Sequence, residues 1–273
     1  MDLKREGSPE DCHSLWIGER LPPLAQVCLK SFLRQGHRVL LHCFDPVAAV
    51  PEGVETRDAA RILPRSAIVR NFRSKSPSLF SNYFRYKMME SLRGYWIDCD
   101  LYCVRPFDYP EDPVFGWQHD GMINGAVLRL EPGTPMHRDT LKIFEDRRPD
   151  LPWISRNQVR RARLRSLIYR KPMLSFAPWG VAGPNAITWL AKKHGEAEKA
   201  QTHTAFYPLD HESTRFLRSA DFDLASVVTP ETRAVHLWNE LLYREEKPLE
   251  AGSFLDRLQQ EAAGGPPALT VAA

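Results

Sequence analysis

The stretch that most restricts this chain is Gly94-Tyr95-Trp96-Ile97-Asp98-Cys99-Asp100-Leu101-Tyr102-Cys103-Val104-Arg105-Pro106. Its aromatic and branched residues favour a strand, which a glycine opens and a proline closes. Two carboxylates stand inside this apolar run. Successive side chains on an extended backbone point to opposite faces, so the pattern predicts that Asp98 and Asp100 share one face while Cys99 points into the core. Two close carboxylates at the end of a buried strand repel each other in a low-dielectric setting, and they need a cation, a hydrogen-bond donor or a proton. A hard divalent ion with oxygen ligands is the simplest answer to that need. A solvated Asp-x-Asp turn is the plain alternative, and the apolar strands on both sides count against it.

Composition sets the outer limits. With 273 residues, 43% of them hydrophobic, the chain can fill one large domain with a sizeable core. A formal charge of +3 is compatible with anionic substrates or a membrane surface and demands neither. Residues 1–7 are polar, without the apolar segment of a signal peptide. No apolar run approaches the roughly 18–20 residues of a membrane span. The cysteines at 12, 28, 43, 99 and 103 are odd in number and lack Cys-x-x-Cys spacing, which fits free thiols in a reducing compartment. The expectation is a cytoplasmic protein without its own anchor. Residues 13–245 would form the folded domain, with flexible tails at 1–12 and 252–273.

The rest of the chain gives a strand at 14–18, a helix at 21–35 stopped by Gly36, and a strand at 37–44. Strand, helix and strand at this spacing predict a parallel crossover, the start of a nucleotide-binding α/β layer. A short strand follows at 54–57. The basic loop 71–76 either borders a diphosphate or is a solvated connection. Ser76-Pro77 starts a helix expected to run to about Arg93, with Asn82 and Arg85 on one face. Strands are predicted at 114–117 and 122–130, with His119, Asp120 and Asn124 as candidate ligand contacts; a plain turn is the simpler account of the first two. Thr134-Pro135 caps a helix reaching residue 147 or 148. Gly183-Pro184 opens another, either as a structural turn or as a place where a ligand approaches backbone N–H groups. Short strands are expected at 205–209 and 234–239.

Residues 150–172 are the most basic part, with arginines interleaved among Trp153, Ile154, Leu164, Leu167 and Ile168. Such a segment could rest on an anionic bilayer, gather an anionic acceptor, or be a wet helix face. The expected partner is a membrane surface contacted through 153–171. Nucleic acid is not expected, because no recognised module is present and the remaining chain is charge-balanced.

Taken together, Ser-x-x-x-Arg-Tyr at 81–86, Gly-Tyr-Trp-Ile-Asp-x-Asp at 94–100 and Arg-Pro-Phe at 105–107 resemble the Asp-x-Asp glycosyltransferases of the GT-A fold, most closely the family 32 type. The resemblance implies an α/β fold, a Rossmann-like mixed sheet flanked by helices in a single catalytic domain. It implies transfer of a sugar, with retention, from a nucleotide-sugar donor (UDP-linked in the first instance) to a glycan or glycolipid acceptor. Mn²⁺ or Mg²⁺ would be held by Asp98, Asp100 and His236, the last from a late His-x-Trp segment. Trp16, in a Trp-x-Gly pattern, would stack on the base or else be plain core. Asn82, Arg85, Asp98 and Gly183 would bind the nucleotide sugar, and Asn124 would stand near the reacting sugar together with Asp98, Asp100 and Arg85. Asn82 stands where the family has Asp. That departure leaves open an alternative, a non-catalytic carbohydrate- or membrane-binding relative with the same fold.

Overall fold

Strands that are apolar on both sides need cover on both faces, and the layering follows from that. A computed structural model describes residues 6–8, 10–242 and 248–270. The chain opens with β1 (Cys12–Trp16), α1 (Pro23–Arg34), β2 (Val39–Cys43) and β3 (Glu55–Asp58). It continues through α2 (Ser78–Met88), β4 (Tyr95–Ile97), β5 (Leu101–Cys103), β6 (Val114–His119), β7 (Met122–Arg129) and α3 (Pro135–Glu145). Last come α4 (Arg156–Tyr169), α5 (Pro184–Lys193), α6 (His203–Phe206), β8 (Ala234–His236), α7 (Asn239–Leu242) and α8 (Phe254–Ala262).

Six strands form one mixed sheet in the order β3-β2-β1-β4-β7-β6. The pairs among β3, β2, β1 and β4 are parallel, and β7 lies antiparallel to both β4 and β6. Strands β5 and β8 pair antiparallel as a separate two-stranded sheet. This is a single α/β domain with a mixed sheet flanked by helices, the coarse architecture expected from the sequence.

The period of two sorts the core. Trp96 and Leu128 face Phe84 of α2 and Ile187 of α5. Their neighbours Tyr95, Ile97 and Val127 face Leu29 and Phe32 of α1. A third cluster joins Leu24, Val27 and Cys28 of α1 to Tyr102, Val235 and Phe254. All five cysteines are free thiols, and only Cys99 is not fully buried.

Several boundaries differ from expectation. Helix α2 stops at Met88, because residues 91–93 pair with the N-terminal segment: Glu6 N–H donates to Ser91 O at 2.9 Å and Arg93 N–H to Glu6 O at 2.8 Å. Residues 10–12 are therefore not a loose tail, and Cys12 already lies in β1. Helix α3 ends at Glu145, short of the expected 147 or 148. The predicted strand at 205–209 is replaced by α6, closed by Tyr207 N–H on His203 O at 2.7 Å. Gln201 pairs with Gly116 of β6 instead.

The largest departure is the C-terminal end. Residues 252–270, expected as a mobile tail, pack onto the domain. Ser253 Oγ accepts the Asp256 N–H to cap α8, which buries Phe254, Leu255, Leu258 and Glu261. Glu261 pairs with Arg34 and accepts the Ala268 N–H at 2.7 Å, and Tyr102 O–H donates to Leu269 O at 3.1 Å. Residues 271–273 and 1–5, also expected as tails, lie outside the described residues.

Gly94 is required by geometry. Its φ is +112°, and a Cβ there would stand 2.1 Å from Asp11 O, the acceptor of the Tyr95 N–H at 2.7 Å. Gly94→Ala is expected to lower stability by roughly 3 kcal/mol. Urea unfolding reads this directly, and an unchanged midpoint would exclude the close approach.

Candidate metal and ligand site

The acid pair sits in a turn at a seam between the two sheets, not in mid-strand. Asp98 extends β4 by one residue, its N–H donating to Ala126 O at 2.8 Å. The backbone then turns, with Leu101 N–H on Asp98 O at 3.3 Å, and β5 leaves for the smaller sheet. The predicted sharing of a strand face is therefore replaced by convergence across a turn. Cys99 packs its Sγ 3.0 Å from Ser14 Oγ.

Strand pairing supplies the third group. Leu101 stands opposite His236 in the β5–β8 register, and Leu237 N–H donates to Asp100 O at 2.9 Å. His236 Nε2 thereby comes 3.2 Å from Asp100 Oδ1. The Asp100 Oδ2 accepts the Asn239 N–H at 3.0 Å. One ligand atom each from Asp98, Asp100 and His236 lie within 4.8 Å of one another. Two hard oxygens and an imidazole nitrogen form a donor set that could hold a divalent ion.

Arg85 is committed behind this group. It is only 6% exposed. Its Nη2 donates to Asp98 Oδ1 at 3.0 Å and to Ser81 Oγ at 3.3 Å, and its Nη1 donates to Gly125 O. The guanidinium lies over the Trp96 ring at 4.8 Å, while Trp96 Nε1–H donates to the same Asp98 oxygen at 2.7 Å. Gly125 makes this fit possible, since a Cβ there would come 3.1 Å from Arg85 Nη1 and 2.5 Å from the Ile187 side chain.

The charges do not share the site equally. Burial pushes the Asp98 carboxyl up; Arg85 opposes that shift and Asp100 adds to it. Burial acts upward on Asp100 too, but the His236 charge, its hydrogen bond and the Asn239 N–H outweigh it and hold Asp100 below the usual range. Burial alone would lower His236, yet the charges of Asp100 and Asp98 raise it. A bound cation would compete with that imidazole proton.

The group opens onto a cavity of about 1090 Å³, whose lining includes Trp16, Asn82, Arg85, Asp98, Asp100, Asn124 and His236. Asn71, Phe72, Arg73 and Ser74 of the basic loop line it as well, as do Arg161 and Arg165 of α4. Gly183 does not line it; it backs Asn82, and a Cβ there would stand 3.2 Å from both amide heteroatoms. Asn124 lines the cavity, but its amide also braces the β6–β7 hairpin, donating to Gln118 Oε1 at 2.8 Å and accepting the Ala126 N–H at 2.9 Å. His119 and Asp120 form the exposed hairpin tip and are not part of the lining.

Sequence inspection missed His211, Gln118 and Asn239 in this wall. Nothing local marks His211 or Gln118, whereas Asn239 directly follows the His-x-Trp segment. Among the described residues, Trp16 Nε1, His236 Nδ1 and Asn239 Oδ1 are buried without a hydrogen-bond partner, and all three residues line the cavity. Buried polar atoms are ordinarily paired, so these three are unsatisfied groups of the wall. No protein-family model matches the chain and no curated protein matches it, so the site's chemistry stands on its own residues.

Proposed function

We propose that the cavity binds a nucleotide sugar and transfers the sugar, with retention, to a glycan or glycolipid acceptor. The observation that carries this reading is the convergence of Asp98, Asp100 and His236 on one point of a cavity large enough for such a donor. The donor set fits Mn²⁺ better than Mg²⁺, because imidazole is a softer ligand than oxygen. A bound ion would act there as a Lewis acid toward the leaving diphosphate.

The chain's own residues have distinct parts. Arg85 orients Asp98 and favours its ionised form against the effect of burial, so it works through the carboxylate rather than by direct grip on phosphate. Arg73, in the loop at the cavity wall, supplies positive charge toward the diphosphate. Trp16 offers a flat ring for the base. Asn82 offers neutral hydrogen bonding toward sugar hydroxyls.

The test is to incubate the protein with Mn²⁺ and a panel of UDP and GDP sugars and to measure released nucleoside diphosphate. Thermal shift runs alongside, and UDP is expected to raise the melting temperature with Mn²⁺ but not with EDTA. Binding without release would favour the non-catalytic alternative. No shift with any nucleotide, with or without metal, would overturn the proposal.

A further inference from the structure

No acidic residue occurs between Asp150 and Glu196. Within that interval α4 turns Val159, Ala162 and Ser166 toward the protein. Its opposite side presents Leu164, Leu167 and Ile168, exposed by 58%, 78% and 65%. Their i, i+3, i+4 spacing makes one continuous apolar stripe. Arg163 flanks the stripe on one side, Arg161 and Arg165 on the other, and Arg160 stands one turn before Leu164. Among the described residues, no acidic side chain pairs with these four arginines. Tyr169 and Trp179 are exposed as well.

The helix is a firm platform. Ser155 and Gln158 form a capping box at its start. At its end Tyr169 packs against Phe72 and Phe176, with ring centroids 5.0 and 5.6 Å away. An outward stripe of large aliphatic side chains bordered by unpaired arginines matches a bilayer interface, where acyl chains take the stripe and lipid phosphates take the guanidinium groups. Nucleic acid would satisfy the arginines and leave the stripe in water.

We infer that α4 docks this protein on an anionic lipid bilayer through Leu164, Leu167 and Ile168, with the flanking arginines on the lipid phosphates. Gln158, Arg161, Arg165 and Trp179 also line the cavity that holds the acid pair. Docking therefore brings that cavity to the membrane surface. On the transferase reading the acceptor is then a lipid-linked glycan; that clause rests on the proposed function, and the docking itself does not.

Flotation with vesicles tests the docking. Vesicles of phosphatidylcholine mixed with phosphatidylglycerol are expected to carry the protein up at physiological ionic strength, and vesicles of phosphatidylcholine alone are not. The triple variant Leu164→Ser, Leu167→Ser, Ile168→Ser and the double variant Arg160→Gln, Arg163→Gln should each weaken binding by more than about tenfold. Because these side chains are exposed, both variants should melt with the parent. Equal flotation with neutral and mixed vesicles, or parental binding by the triple variant, would overturn the inference. So would an oligonucleotide that binds parent and triple variant alike and displaces both from vesicles, which would reassign the helix to nucleic acid. Diphosphate release is not read in this assay, so docking and transferase readings fail separately.

Discussion

Asp100→Asn is expected to remove manganese binding and to lower sugar transfer on the order of 10³-fold. Asparagine keeps the volume, and its oxygen can still accept the Asn239 N–H that Asp100 accepts at 3.0 Å. The fold around the turn should therefore survive. What disappears is the charge that faces His236 Nε2 at 3.2 Å. Free manganese followed by electron paramagnetic resonance gives the affinity, diphosphate release gives the turnover, and melting in EDTA checks the fold. Asp98→Asn should behave differently. It leaves the buried Arg85 guanidinium without its anion, so the metal-free protein itself should lose stability. A folded Asp100→Asn protein with parental manganese affinity would remove Asp100 from the site.

Acid is expected to destabilise the protein through a histidine pair that is not part of the cavity lining. His13 Nε2 lies 2.8 Å from Arg93 O, so that nitrogen carries the proton and donates. His13 Nδ1 is then an acceptor, and His42 Nε2–H donates to it across 3.1 Å. This leaves His42 Nδ1 bare, buried and without a partner among the described residues. Both rings are held neutral. Burial, the neighbouring His13 and Arg57 push His42 down to about 3, and burial lowers His13 as well. Unfolded histidine takes up its proton near pH 6.5, before the folded pair does. The stability is thus fully present above about pH 6.5 and is lost as pH falls from there toward about 3. At about 1.4 kcal/mol per pH unit, His42 alone accounts for roughly 5 kcal/mol over that window. His42→Gln keeps a donor for His13 and cannot titrate. Urea midpoints followed against pH should fall less steeply in the variant, and parallel curves would exclude the pair as the cause.

Elements with local signals were legible in the sequence. Pro23 at the start of α1 and Gly36 beyond its end bracket that helix within a residue or two of expectation. The run before Asp98 was legible for the same reason, as β4 confirms. The turn at the acid pair was not, because a strand ends where its partner ends. The partner of β5 is β8, which lies far along the chain. Residues 205–209 carry strand-forming side chains, yet Phe206 and Tyr207 are fully buried, and Gln201 takes the pairing with β6. Helix α8 was hidden by the glycines and prolines after it, and its order depends on Arg34 and Tyr102, neither of which is near it in sequence. The histidine pair was invisible because it depends on register: His13 lies opposite Leu40, and His42 opposite Leu15.

The seam has a mechanical corollary. Asp98 is fixed to the six-stranded sheet, whereas Asp100 and His236 ride on the two-stranded one. That smaller sheet rests on α1 and on α8, with Tyr102 tied to Leu269 beneath it. A bound ion would be a rivet through a joint between two plates, and the grip on it depends on how squarely the plates are seated. Residues of the final helix, remote from every ligand atom, are in that sense part of the clamp.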